Sequence, residues 1–202
     1  MRIITGFFFN KGKDKLTKVI KYPPGDLALW IFIIAELLVF GLFFAAYAIT
    51  RIDNIELFEF YQQNLDRRAA LWNTLALISS SYFVVQAVLA IKRMRQQQAF
   101  VFMLLALLMG FVFMVIKTQE FAHHIDMGIT LSTNTFYMFY LSMAFFHYLH
   151  VALGLIILAV LAVNLYKGRY NIENIDGLES GASYWHMVDL VWIILFPLVY
   201  VM

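Results

Sequence analysis

Ionisable side chains stand inside segments that are otherwise hydrophobic enough to cross a bilayer, and this constrains the chain more than any other feature. Glu36 interrupts the run Trp30–Phe40. His147 and His150 interrupt a longer run from Phe136 to Tyr166, and His186 and Asp189 interrupt the last one. A charge at the bilayer centre costs from about 3 kcal/mol upward. Such groups must be paired, solvated, neutralised or turned toward protein, so function is to be sought among them.

The 202 residues are 62% hydrophobic with mean hydropathy +0.75, well above the roughly half-apolar make-up of soluble domains. A membrane-spanning helix needs about 20 apolar residues. Stretches near 27–50, 70–91, 99–117, 134–166 and 182–202 meet that requirement. The expected fold class is therefore an all-α integral membrane protein, with a five-transmembrane-helix bundle over 27–202 behind a basic arm at 1–26. The first span has no small-residue cleavage pattern after it and is read as retained. Little chain is left over for an extramembrane catalytic domain, and there is no nucleotide loop. Cysteine is absent, which excludes a disulfide framework and a thiolate metal site. A net charge of +2 gives no reason to expect nucleic acid as a partner.

Lys and Arg are unevenly divided. Eleven fall in the N-terminal arm and the loops after the second and fourth spans, including Lys92, Arg93, Arg95, Lys167 and Arg169. Four, Arg51, Arg67, Arg68 and Lys117, fall on the other side. The positive-inside rule then puts the N-terminus in the cytoplasm and the C-terminus outside. Residues 51–69 are mildly amphipathic and acidic, and read as a solvated connector. The short basic segment 92–98 predicts an antiparallel hairpin of the second and third spans. The fourth span exceeds the bilayer's need and should tilt or project. No internal repeat is evident, which counts against a transporter.

Helical spacing groups the polar positions. His147, His150 and Gly154 share one face of the fourth span. Trp185, Asp189 and Trp192 share a face of the fifth, with His186 beside them. Glu36 lies about nine residues into the first span, or roughly 14 Å, a depth at which a contact with a histidine of the fourth span is geometrically feasible. Asp189 could pair with His186 or a Trp indole. Three readings are open. Polar side chains can lock helix packing, at about 1 kcal/mol or less each. Histidines on facing helices can hold a haem, although residues at i and i+3 cannot bind its two faces. An intramembrane carboxylate near histidines can handle protons.

Weaker features are Ser79-Ser80-Ser81 and the Gly41/Ala45 pair, both read as helix packing. Gln119-Glu120 ends the third span, and the following His123, His124 and Asp126 read as a solvated loop. Trp30, Tyr47, Trp72, Tyr166 and Tyr200 suit interfacial anchoring.

Phe146-His147-Tyr148-Leu149-His150-Val151-Ala152-Leu153-Gly154 resembles the histidine-bearing helix of haem–copper oxidase subunit III. The terminal segment from Glu179 through Tyr184-Trp185-His186-Met187-Val188-Asp189-Leu190-Val191-Trp192 resembles that family's Trp-His-x-Val-Asp-x-Val-Trp string. Glu36 falls where the family carries a carbodiimide-reactive membrane carboxylate, and Gln119-Glu120-Phe121 resembles another of its helix ends. Tyr148 stands where the family usually has glycine. The chain resembles the short, five-helix form. Pro24–Trp30, Thr133–Tyr140 and Phe196-Pro197-Leu198 resemble most the E subunit associated with bacterial nitric oxide reductase.

The resemblance implies an accessory subunit that is not itself an enzyme, a multi-pass protein of the bacterial inner membrane. It would carry no haem, copper or other cofactor of its own, with phospholipid bound. Its partner would be the haem-containing catalytic subunit of a haem–copper oxidase or nitric oxide reductase, whose stability, lipid environment or proton delivery it would support. The third subunit of a cytochrome c or quinol oxidase is the alternative. A haem b membrane cytochrome and a proton-coupled transporter are alternatives of another class. On this reading Glu36, His147, His150, His186 and Asp189 form an interior polar network, and Glu120, Gly154, Glu179, Trp185 and Trp192 serve helix ends and packing.

Overall fold

A computed structural model describes residues 27–171 and 174–202; the basic arm expected at 1–26 lies outside the described residues. Six α-helices occur among them: α1 (Leu27–Asp53), α2 (Ile55–Gln63), α3 (Arg67–Lys92), α4 (Gln96–Asp126), α5 (Thr135–Tyr166) and α6 (Asp176–Phe196). A π-helical turn, Pro197–Val201, continues α6. Five segments are long and apolar enough to cross a membrane: α1, α3, α4, α5 and α6 with its π turn.

Local chemistry sets the helix boundaries. Asp66 Oδ1 accepts from the amides of Arg68 (2.9 Å) and Ala69 (3.0 Å), capping α3. Asn134 Oδ1 caps α5 by accepting from Tyr137 N at 2.8 Å. Each bond satisfies an amide that has no partner inside the first helical turn. Gly168 ends α5 at φ +66°, a left-handed position that costs glycine little.

α3 and α4 form the expected antiparallel hairpin. Both helices bury small residues, Ala76, Ser80, Ala87 and Ala90 on α3 and Ala99 and Ala106 on α4, and Ser80 Oγ donates to Ala106 O at 2.7 Å across the hairpin. Small side chains let membrane helices approach closely, since apolar burial gives little drive between helices already in lipid. α5 packs on α4 and α6, and α6 closes back on α3. α1 stands at the edge, touching α6 and α5, with only Ile33, Phe40 and Tyr47 buried along its 27 residues.

Three expectations change. The 51–69 connector contains α2, whose Phe58 is fully buried and meets Tyr47 edge-on at 5.2 Å. The third span runs nine residues past 117, carrying Lys117, Glu120 and His124 inside the bundle rather than at a loop. Tyr47 and Tyr200 are fully buried, so neither is an interfacial anchor, whereas Trp72 and Tyr166 are exposed.

Candidate functional site

Glu36 and His150 make the polar contact between α1 and α5, beside the ring contacts of Phe43 with Phe146 and of Tyr47 with Phe139; His150 lies one turn beyond His147 on α5. Glu36 Oε2 lies 3.0 Å from His150 Nε2, and both side chains are mostly covered, at 23% and 18% exposure. The other ring nitrogen, Nδ1, lies 2.7 Å from Phe146 O. A carbonyl only accepts, so Nδ1 carries a proton. The short Nε2–Oε2 contact then requires one more proton between the two groups. It sits on the carboxyl, which donates to the imidazole, or on the imidazole, which donates to the carboxylate. In both forms the pair is neutral overall, which resolves the cost of burying either charge alone. Phe40 presents its ring to His150 at 5.3 Å, and Tyr184 Oη donates to His150 O at 3.3 Å.

His147 does not join this pair. It is fully buried, stacked on Trp192 at 5.2 Å and edge-on to Phe113 at 5.7 Å. Neither of its nitrogens has a hydrogen-bond partner among the described residues. Trp192 itself donates from Nε1 to Thr74 Oγ1 at 2.9 Å, tying α6 to α3.

His186 turns to α3, where its Nδ1 lies 2.7 Å from Ser81 Oγ. Asp189 is also buried, and its Oδ1 has no partner among the described residues. No hydrogen bond to His186 or to a Trp indole satisfies that oxygen. The five residues read as one polar network therefore occupy three separate places: Glu36 with His150, His147 against Trp192, and His186 and Asp189 on α6.

A second polar cluster was hidden in the sequence. Lys117 Nζ is fully buried, 3.0 Å from Glu120 Oε2 and 2.6 Å from Tyr200 Oη. Glu120 Oε1 accepts from Tyr200 Oη at 2.7 Å and from Tyr140 Oη. The ammonium also lies 5.3–5.5 Å from the rings of Phe121, Tyr140, Trp192 and Tyr200, where ring quadrupoles favour a cation. Pro197 has no amide hydrogen to continue α6, and the π turn after it carries Tyr200 into the bundle. The i,i+3 spacing of Lys117 and Glu120 signals a pair. Only the burial of a span longer than its apolar run reveals that the pair is internal.

Packing roles are well defined. A Cβ at Gly154 would stand 2.7 Å from the Trp185 ring, and one at Gly110 would stand 2.9 Å from the same ring. The indole thus occupies a slot between α4 and α5 that two glycines leave open. Glu179 pairs with Lys92 Nζ at 2.7 Å, fastening the start of α6 to the end of α3. Among the described residues no group of three His, Cys, Asp or Glu is placed to hold a metal ion.

Residues 17–202 match the family described as cytochrome c oxidase subunit III. The chain is 36% identical over 179 residues to cytochrome c oxidase subunit 3 of Thermostichus vulcanus, covering 87% of this chain and 86% of that one. It is 27% identical over 174 residues to the probable quinol oxidase subunit 3 of Staphylococcus saprophyticus, covering 86% and 87%. A probable quinol oxidase subunit 3 of Staphylococcus aureus is 28% identical over the same length.

Proposed function

The chain belongs to the cytochrome c oxidase subunit III family, and on that premise we propose that it is the non-catalytic third subunit of a haem–copper oxidase. Its electron donor would be a quinol or cytochrome c, and its partner the haem-containing catalytic subunit. The observation that carries this reading is a family match extending over residues 17–202, together with relatives of the same length that are oxidase third subunits. The polar sites support an accessory role. The Lys92–Glu179 pair, the Trp192–Thr74 bond and the bonds from Tyr140 and Tyr200 to Glu120 join helices to one another. Haem ligation by His150 Nε2 would have to break its bond to Glu36.

Within this role Glu36–His150 is the proton-linked site, because the pair holds one exchangeable proton at its Nε2–Oε2 contact. The bundle lies in a bacterial inner membrane, with phospholipid against its outward apolar faces. The arm and the basic loops at Lys92–Arg95 and Lys167–Arg169 face the cytoplasm. Burial of Lys117 removes one cation from the opposite side, which strengthens that bias.

Nitric oxide reductase is the second reading, favoured by Pro24–Trp30, Thr133–Tyr140 and Phe196–Leu198 and drawing no support from the named relatives. Extraction of a tagged copy from its own membrane in mild detergent decides between the two. Co-purification of an oxidase catalytic subunit supports the proposal. A nitric oxide reductase catalytic subunit in its place selects the second reading, and a solitary chain refutes both.

A further inference from the structure

Ser79, Tyr82 and Gln86 fall at i, i+3 and i+7 of α3, a spacing that sets them on one helix face. That face turns away from the bundle. Tyr82 is 57% exposed, and Ser79 and Gln86 are partly exposed. The other hydroxyls of the same serine run turn inward, Ser80 to Ala106 O and Ser81 to His186 Nδ1. The side chains of Ser79, Tyr82 and Gln86 make no hydrogen bond among the described residues.

Depth makes this costly. α3 runs from Arg67 to Lys92, so Ser79 stands at its midpoint. At 1.5 Å per residue, Tyr82 and Gln86 lie about 4 and 10 Å from that midpoint, inside a hydrocarbon layer that extends roughly 15 Å either way. The helical Cα–Cβ bond tilts toward the N-terminus, which carries the Gln86 amide toward the bilayer centre and away from the nearer surface. Water is absent at this depth and acyl chains offer neither donor nor acceptor, so two hydroxyls and an amide left there go unsatisfied. Other outward faces make no such demand. The exposed residues of α1 from Ile31 to Ile49, and of α4 from Val101 to Val115, include no hydrogen-bonding side chain.

We propose that this face of α3 is where the catalytic subunit docks, through a transmembrane helix whose own hydroxyl or amide side chains meet Ser79, Tyr82 and Gln86. Interhelical hydrogen bonds of this kind hold membrane helices together where apolar burial contributes little. Lipid satisfies the apolar faces of α1 and α4 and leaves this stripe unpaired. α1 is therefore assigned to lipid, although it is the least buried span. The inference rests on the third-subunit reading and adds to it the surface that the partner uses.

The test places the photocrosslinking residue p-benzoylphenylalanine at Tyr82 of the tagged chain, and separately at Leu42 on the exposed side of α1, and irradiates the intact complex. Co-purification of the catalytic subunit is scored before irradiation, so failure of the third-subunit reading is seen apart from failure of this one. The expected result is a crosslink from position 82 to a transmembrane segment of the catalytic subunit, and lipid adducts alone from position 42. A crosslink from 82 to lipid alone or to a second copy of this chain overturns the inference. So does the absence of any crosslink from 82, or a catalytic-subunit crosslink from 42. Ser79→Ala, Tyr82→Phe and Gln86→Leu combined remove the hydrogen-bonding groups without touching the bundle interior. The triple variant should accumulate in the membrane at the usual level and bind the catalytic subunit on the order of tenfold more weakly. Unchanged retention of the catalytic subunit overturns the inference.

Discussion

The Lys117 ammonium stands 3.0 Å from the Glu120 carboxylate, and both side chains are closed off from the surroundings. Two tyrosine hydroxyls and four rings complete the shell around them. Removing one partner leaves the other charge buried and uncompensated, which costs about 3–5 kcal/mol. Lys117→Met should therefore lower the thermal midpoint of the purified complex sharply. Lys117→Met combined with Glu120→Leu should recover most of the loss, since an apolar pair needs no compensation. A single change that leaves the midpoint in place would contradict a closed ion pair.

Glu36→Gln is expected to preserve assembly. The Gln amide can donate to His150 Nε2 and keep the contact between α1 and α5 without an exchangeable carboxyl proton. Glu36→Leu removes that hydrogen bond but leaves the ring contacts of Phe43 with Phe146 and Tyr47 with Phe139, and should weaken the attachment of α1 by about 1 kcal/mol or less. Turnover of the intact complex measured across pH is the readout. If Glu36→Gln leaves both assembly and the pH profile unchanged, the pair has no proton-linked role.

His147→Phe should be close to neutral for stability. Neither nitrogen of His147 has a partner among the described residues, so an apolar ring stacked on Trp192 removes an unsatisfied polar group instead of a bond. Denaturation of the variant complex checks this. A loss above about 2 kcal/mol would mean that His147 is satisfied by a group outside the described chain.

Much of this fold was legible because the bilayer enforces it. A span must be apolar and about 20 residues long, so hydropathy located all five membrane-crossing segments. The depth of Glu36 made its contact with α5 foreseeable, although only the rotation of α5 decides that His150 receives it and His147 does not. Lys117 was misread for a physical reason. Hydropathy treats every lysine as a boundary, and a cation neutralised by Glu120 and ringed by aromatic faces is invisible to it. α2 was missed because its mild amphipathicity is shared by solvated connectors, and burial of Phe58 against Tyr47 depends on where α1 ends.

Gly154→Ala and Gly41→Ala should separate packing from propensity. At Gly154 the new methyl would meet the Trp185 ring at 2.7 Å, whereas at Gly41 nothing lies within 4 Å. The first change should cost about 1–3 kcal/mol by overpacking. The second should be neutral or stabilising by up to about 1 kcal/mol, from the higher helix propensity of alanine. Thermal melts of the two variants in the same detergent compare them directly, and an equal effect would mean that Trp185 does not fill the slot.

Native mass spectrometry of the tagged chain, released from its own membrane in mild detergent, tests the central claim most directly. The account predicts a complex containing a haem-bearing oxidase catalytic subunit, from which gentle activation ejects this chain at its 23.5 kDa sequence mass plus the tag, with lipid but no haem. Ejection with haem attached, or release as a solitary chain, would contradict an accessory third subunit.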